Sequence, residues 1–285
     1  MIFWQTSHHC ESNEQHHICE SKFIISRSDA SFHLAPPPLL CYNTPKRCVF
    51  PMGSNFLIAK FGKEEHIKQL QKGKIFFNSI QKYRDDGTDY RGDSMEGRIP
   101  LNPNDIEIYG ACGERLFDTI PRPDLVTQSV LNDENLMMFC ASTITKNIMI
   151  EVGNNIWHFK DEYKKSMAKF GDYVMLFWSS ELLNKIGTSV DCNGQKIGYD
   201  SGMVLYRNLT DFDDTHEYRI TSSPLDRYFV KSLSYKVQNE WRVLIDGEHQ
   251  RLTSNYLDGF LIESTPFEFS IIKRAEDFLN GYIKL

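Results

Sequence analysis

Nowhere in the chain do more than a few apolar residues follow one another. Runs such as Phe229-Val230, or the stretch from Tyr256 to Glu263, fall far short of the roughly 18 residues that a membrane-spanning helix needs. No membrane segment is expected. An excess of positive charge is missing too: 32 Lys and Arg against 38 Asp and Glu give a formal charge of -6. That excludes a broad basic surface for duplex nucleic acid, which depends on clustered cations, and leaves room only for a local basic groove. Cysteine is sparse, odd in number at 7, and scattered. The charged and apolar segments of a secretory signal are absent, so a reducing cytoplasm is the expected compartment. No Gly-x-Gly-x-x-Gly or phosphate-loop sequence occurs, which removes Rossmann and NTPase chemistry, and there is no Gly-x-Ser-x-Gly elbow. His158 and His216 stand alone, and Cys112, Cys140 and Cys192 are too dispersed for a thiol site.

What is present is the composition of a globular protein, with 41% hydrophobic and 25% charged residues over 285 positions, enough for one large domain or two small ones. Residues 1–51 differ from the rest. They hold five of the 9 histidines and four of the 7 cysteines, include Pro36-Pro37-Pro38, and show no apolar periodicity. A segment without an apolar face cannot offset the entropy of ordering it. Residues 1–51 therefore read as a disordered or non-native N-terminal extension ahead of Met52. The pairing of His8-His9-Cys10 with His16-His17-x-Cys19 also fits a zinc or copper site, since imidazole and thiolate suit those metals. The short Cys-x-x-Cys or His-x-x-x-His steps of zinc modules are missing, which favours the extension.

Residues 52–285 read as a single α+β domain. Asn55 to Phe61 predicts a buried strand, Lys63 to Lys72 a short amphipathic helix stopped by Gly73, and Lys74 to Ile80 a second strand. Tyr83 to Gly97 follows as a polar loop rich in glycine, tyrosine, arginine and carboxylates, a length usually functional or disordered. Further strands are expected at 106–108, 136–143, 173–178, 203–206, 228–237, 240–245 and 256–263. Helices are expected at 161–170, at 179–186 behind a serine cap, and at 275–279.

Two segments carry a resemblance. One is the opening strand, helix and strand with the loop Arg91-Gly-Asp-Ser-Met-Glu-Gly97. The other is Phe229 to Ile245, with Phe139-Cys-Ala-Ser142 between them. Together they look like a large group of bacterial proteins of poorly known function, with an acidic loop early and a Glu-x-Glu-Trp-Arg-type strand late. The early loop here lacks that group's proline. The same features resemble ADP-ribosyltransferases that pair a first-strand cation, a Ser-Thr step and a Gln/Glu-x-Glu element, here Lys60, Ser142-Thr143 and Gln238-Asn239-Glu240. Lys60 stands where an arginine or histidine is expected, and Arg84 or Arg91 is the alternative source of that charge.

The resemblance implies a mixed, split central sheet with short flanking helices and an NAD-consuming transferase of bacterial toxin or phage-defence type. Glu240 would stabilise the oxocarbenium-like ribose, and Gln238 would orient the acceptor. Lys60, Asn78, Tyr83, Arg84, Arg91, Ser142 and Thr143 would line the NAD site, the aromatics and guanidinium groups suiting a flat base and a pyrophosphate. The acceptor would be a protein or a single-stranded nucleic acid, with an antitoxin or chaperone as partner. Read as residues alone, Gln238 and Glu240 fall on one strand face through the two-residue period, as any exposed strand allows. A non-catalytic binding or sensor module acting through the Tyr83 to Gly97 loop is the competing expectation.

Overall fold

The computed structural model describes residues 24–26, 55–88, 90–102, 104, 107–109, 115, 121, 126–128, 133, 136–191, 194–209, 224–246 and 259–284. The His and Cys pairs at 8–19, the prolines 36–38, Cys112, Cys192, His216 and residues 256–258 lie outside them. The chain divides into two compact units, 1–42 with 100–128, and 43–99 with 129–285. In the first, strand β1 (Ile24–Ser26) is described, and it pairs antiparallel with a later strand, Glu107–Tyr109.

The larger unit opens with β2 (Leu57–Gly62), helix α1 (Glu64–Gln71) and β3 (Lys74–Ser79). Helix α1 buries Ile67 and Leu70, three apart and so on one face. It ends because Gly73 takes a φ of 90°, and a Cβ there would lie 2.2 Å from the Ser264 carbonyl oxygen. Helix α2 (Ile80–Asp85) follows at once, with the Ser79 hydroxyl accepting from the Lys82 N–H. The polar loop therefore starts only after Asp85, and Tyr83 and Arg84 sit on a helix.

Short strands β4 (Ile99–Leu101), β5 (Glu107–Tyr109) and β6 (Val126–Gln128) come next. Then comes the long β7 (Leu136–Thr143), and a hairpin of β8 (Met149–Gly153) and β9 (Ile156–Phe159). Asn154 and Asn155 make that turn at φ of 53° and 58°, which short polar side chains tolerate. Helix α3 (Asp161–Met167) leads to β10 (Tyr173–Trp178) and helix α4 (Ser179–Thr188). Helix α4 has Trp178 rather than a serine at its cap, because the Ser179 hydroxyl is taken by the Phe56 N–H.

The last third runs through β11 (Asp200–Met203), β12 (Leu205–Arg207), β13 (Val230–Ser232), β14 (Glu240–Asp246), β15 (Phe260–Glu263), β16 (Ser270–Arg274), helix α5 (Ala275–Asn280) and β17 (Tyr282–Lys284). Much of 228–237, expected as one strand, is instead two 3₁₀ turns, Pro224–Phe229 and Leu233–Gln238, around the three residues of β13.

The result is an α+β fold whose main sheet is antiparallel in order β11-β14-β7-β2-β10-β16, with β3 branching from β7 and β15 pairing with β3. Strand β7 pairs with β14 from Leu136 to Ser142. On its other side it pairs with β2 through Ser142 and Thr143, and with β3 through Met137 and Met138. The sheet therefore forks beside residues 139–141 of β7. One face packs Ile58, Phe77, Phe139, Phe177 and Trp241 against α1 and α4 residues. The opposite side carries two smaller clusters, around Phe159, Tyr163 and Phe278, and around Tyr83, Met138 and Tyr228.

Candidate functional site

At the fork the carbonyls of β7 lack a strand partner on one side, and a buried carbonyl needs a donor. The Lys60 ammonium supplies one, donating to the Cys140 carbonyl at 2.6 Å and lying 4.6 Å over the Phe139 ring. Burial depresses the Lys60 pKa, and the nearby Glu240 charge partly offsets this. Lys60 sits in the split between β2 and β3, whereas Glu240 lies on β14 along the opposite side of β7.

Glu240 belongs to a buried four-charge cluster centred on Arg242, which is completely buried. Both residues lie on β14 two positions apart, so the strand period puts them on one face. The Arg242 Nε donates to Glu240 Oε1 at 2.8 Å. Its two terminal nitrogens form a fork-to-fork pair with Glu96 at 2.6 and 2.9 Å, and Nη1 also donates to the Tyr228 carbonyl. Lys231 donates to Glu240 Oε2 and to Gln238 Oε1, each at 3.2 Å, with its ammonium 4.3 Å over the Tyr235 ring. Two cations and two carboxylates make the cluster neutral, which is the condition for burying charge. Burial pushes the Glu240 carboxyl up, but the Arg242 and Lys231 charges outweigh it and hold Glu240 well below the usual carboxylate range. Burial lowers the affinity of Lys231 for its proton, yet Glu240 more than restores it, so its pKa lies above the ordinary lysine value.

The hydroxyl pair fixes the approach to Glu240. Ser142 donates to the Gln238 carbonyl at 2.8 Å and shares a 2.9 Å hydrogen bond with the Tyr163 hydroxyl. Thr143 donates to the Asn239 carbonyl at 3.1 Å, while the Asn239 amide donates back to Thr143 and to Thr145. Asn239 itself is left-handed, with φ 46° and ψ 51°. That kink means Gln238 ends a 3₁₀ turn and does not share a strand face with Glu240. The two side chains meet instead through Lys231. The Glu240 N–H donates to the Tyr206 hydroxyl at 2.8 Å.

The remaining sequence-predicted residues divide. Tyr83 is buried, donating to the Met138 carbonyl at 3.4 Å and accepting from the Asn78 amide at 3.3 Å. Burial raises its hydroxyl pKa well above the ordinary value. Arg84 is pinned to Asp133 through two contacts of 2.7 and 2.5 Å and donates to the Glu96 carbonyl, so it braces the loop. Arg91 is half-exposed and pairs with Asp86 at 2.9 Å, its guanidinium 5.7 Å from the Tyr90 ring. Ser142, Thr143, Gln238 and Glu240 thus gather where β14 begins, while Lys60 occupies the fork on the other side of β7, with Asn78 and Tyr83 on its β3 side. Arg91 is engaged with Asp86 and Tyr90, and Arg84 is committed to Asp133.

Three residues escaped the sequence reading: Glu96, Lys231 and Arg242. Arg242 was within reach, because the Glu240 to Arg242 spacing alone places them together. Glu96 was not, since its partner lies 146 positions away. The loop carrying it is fastened from above, with the Tyr235 hydroxyl donating to the Gly92 carbonyl at 2.8 Å and Gln238 donating to the Tyr90 carbonyl at 2.5 Å. At its end Gly97 passes so close to the Tyr228 ring that a Cβ would lie 2.0 Å from a ring carbon.

No family model matches the chain, and neither a curated protein nor a solved structure matches it. Among the described residues no group of His, Cys, Asp and Glu is arranged to hold a metal ion, and no helix is long and apolar enough to cross a membrane. Cys140, its pKa pushed up to about 12 by burial and by the nearby Glu240 charge, is held as a thiol rather than a thiolate nucleophile. The chemistry this arrangement offers is electrostatic: a carboxylate kept ionised in a low-dielectric setting by Arg242 and Lys231, with a separate ammonium, Lys60, held on a carbonyl of the neighbouring strand.

Proposed function

We propose that this protein is an NAD-dependent ADP-ribosyltransferase of an ADP-ribosyltransferase-like fold, and that the reaction takes place beside strand β7. The observation that carries the reading is Glu240, held ionised on β14 beside Ser142 of β7, with the Lys60 ammonium fixed on the Cys140 carbonyl of the same strand. In the reaction the bond from ribose C1′ to the nicotinamide nitrogen breaks, and its electron pair passes to the pyridinium ring. The acceptor nucleophile then forms a bond to C1′ and gives up its proton. Glu240 faces the positive charge that develops on the ribose, a preorganised contribution of the kind that dominates such catalysis. Lys60 and Arg91 meet the pyrophosphate, and Asn78 and Tyr83 form the wall on the β3 side. Ser142 and Thr143 hold the turn that presents Glu240, and Gln238 stands next to the acceptor. Lys231 occupies Glu240 Oε2, so substrate binding exchanges that contact for a ribose hydroxyl.

The acceptor in this reading is a protein or a single-stranded nucleic acid in the cytoplasm, the setting that a toxin or anti-phage effector with an antitoxin partner requires. A second reading, a non-catalytic binding or sensor module, is favoured by one observation: both Glu240 oxygens are already satisfied within the protein. Incubation with labelled NAD and cell lysate separates the two. Label on a macromolecule, lost in Glu240→Gln and reduced in Lys60→Met, is expected of the transferase. Absence of label from the wild-type protein in lysates of several sources contradicts it and leaves the binding module.

A further inference from the structure

The main sheet has two open ends, and they are built differently. At one end β11 is short, with Asp200 and Gly202 in it, a composition that discourages pairing. At the other end β16 pairs with β10 and, among the described residues, with no strand on its outer side. Phe269 and Ile271 stand out from this edge at 69% and 57% exposure, on the same face as exposed Lys273.

The hydrogen-bond parity of the edge follows from its neighbour. The Ala275 N–H donates to the Asp172 carbonyl at 2.8 Å, one step beyond the Tyr173 and Arg274 partners. Bonded pairs recur every second residue in an antiparallel ladder. Residues 271 and 273 therefore bond inward to β10, and the backbone groups of 270 and 272 turn outward.

We propose that β16 is the interface for a second copy of this chain, joined antiparallel about a two-fold axis through Ile271. The register is set by charge. With Ile271 opposite itself, Glu268 meets the second copy's Arg274 and Phe269 meets its Lys273, each pairing occurring twice by symmetry. Opposite charges and cation–aromatic pairs directly across a ladder are favourable, whereas a shift of two residues breaks both sets. Ser270 and the second copy's Ile272 exchange backbone bonds, again twice, so the outward N–H and C=O groups are satisfied. Ile271 faces its counterpart at a non-hydrogen-bonded position, where side chains approach closest.

The test uses the full chain in sedimentation velocity from micromolar to submillimolar concentration. A monomer–dimer equilibrium is expected, abolished by Ile271→Lys. Glu268→Arg or Arg274→Glu should each weaken it about tenfold, as expected for two lost pairs, and the double reversal should restore it. Independently of affinity, Ile271→Cys should form a disulfide-linked dimer on mild oxidation, because non-hydrogen-bonded partners have the required separation. Ser270→Cys and the wild type, treated alike, should not. A monomer at every concentration, a dimer indifferent to Ile271→Lys, or a double reversal no better than its weaker single variant overturns the proposal.

Discussion

Replacing Glu240 by Gln keeps the side-chain volume and removes one charge from a cluster in which Arg242, Glu96, Lys231 and Glu240 are all less than one-tenth exposed. The wild-type cluster is neutral, and the variant leaves two cations facing one carboxylate. Removing one partner of a buried ion pair costs about 3–5 kcal/mol, because the remaining charge stays buried without compensation. Lys231→Met creates the mirror-image imbalance and should cost a similar amount. In the double variant the cluster is neutral again, with Arg242 and Glu96 still paired. Its loss should fall short of the sum of the two singles by about 2 kcal/mol or more, near the upper range of couplings for residues in contact. The measurement is urea unfolding of all four proteins at neutral pH, followed by tryptophan fluorescence and circular dichroism. Additive single losses, or a Glu240→Gln cost below about 0.5 kcal/mol as for a surface residue, would refute the buried-cluster reasoning. The same logic fixes a pH dependence. Glu240 is held below its unfolded value of about 4.3, so its contribution is complete above that pH and is lost as pH falls toward its depressed folded value. The stability gap between wild type and Glu240→Gln should therefore narrow below about pH 4.

Other substitutions probe the surroundings. Arg84→Ala removes the cation paired with buried Asp133 and leaves the Tyr228 hydroxyl as its donor, and about 3 kcal/mol of stability should be lost, read by urea unfolding. Asn239→Ala forfeits the left-handed residue and the hydrogen bonds to Thr143 and Thr145, and should lower the melting temperature more than Asn239→Gly, which loses only the bonds. Lys60→Met keeps the buried stem and removes the ammonium at the fork. Calorimetry should show NAD affinity falling about tenfold, as for one charge-assisted contact, with folding retained. Deleting residues 1–51 should leave the melting of the 43–99 and 129–285 unit within about 2 °C of wild type, since every element at the fork begins at Leu57 or later.

The sequence displayed the strands that are buried on both faces. Leu136 to Thr143 was legible to the residue because eight consecutive β-compatible side chains admit little else, and β2 and β10 are apolar in the same way, whereas β3 was legible from its alternation of buried and exposed residues. The hairpin of β8 and β9 was missed although Asn154-Asn155 signals its turn. The stretch 228–237 misled because its aromatic and β-branched residues serve another purpose. The Tyr228 carbonyl and the Lys231 ammonium turn inward to the Arg242 cluster, the Tyr228 hydroxyl reaches Asp133, and the 3₁₀ turns on either side of β13 allow it. Tyr83 and Arg84 were read as loop residues because their polar neighbours hid the Ser79 cap that starts helix α2. The resemblance to ADP-ribosyltransferases pointed to Glu240, Lys60 and Ser142-Thr143, and the fold sets Ser142 and Thr143 against the turn that precedes Glu240. Local spacing could not reveal that Glu96 answers Arg242, since only the tertiary fold joins them.

Nicotinamide release under single-turnover conditions tests the role of Glu240 most directly, provided stability is held apart from chemistry. The comparison is between Lys231→Met and Lys231→Met with Glu240→Gln, at a temperature where circular dichroism shows both folded. If Glu240 faces the charge on the ribose, adding Glu240→Gln should lower the rate by a factor of about 10²–10³, the usual loss for one preorganised electrostatic group. Equal rates in the two proteins, or no release from NAD by the wild type, would contradict a catalytic Glu240 and leave it as one charge of a structural cluster.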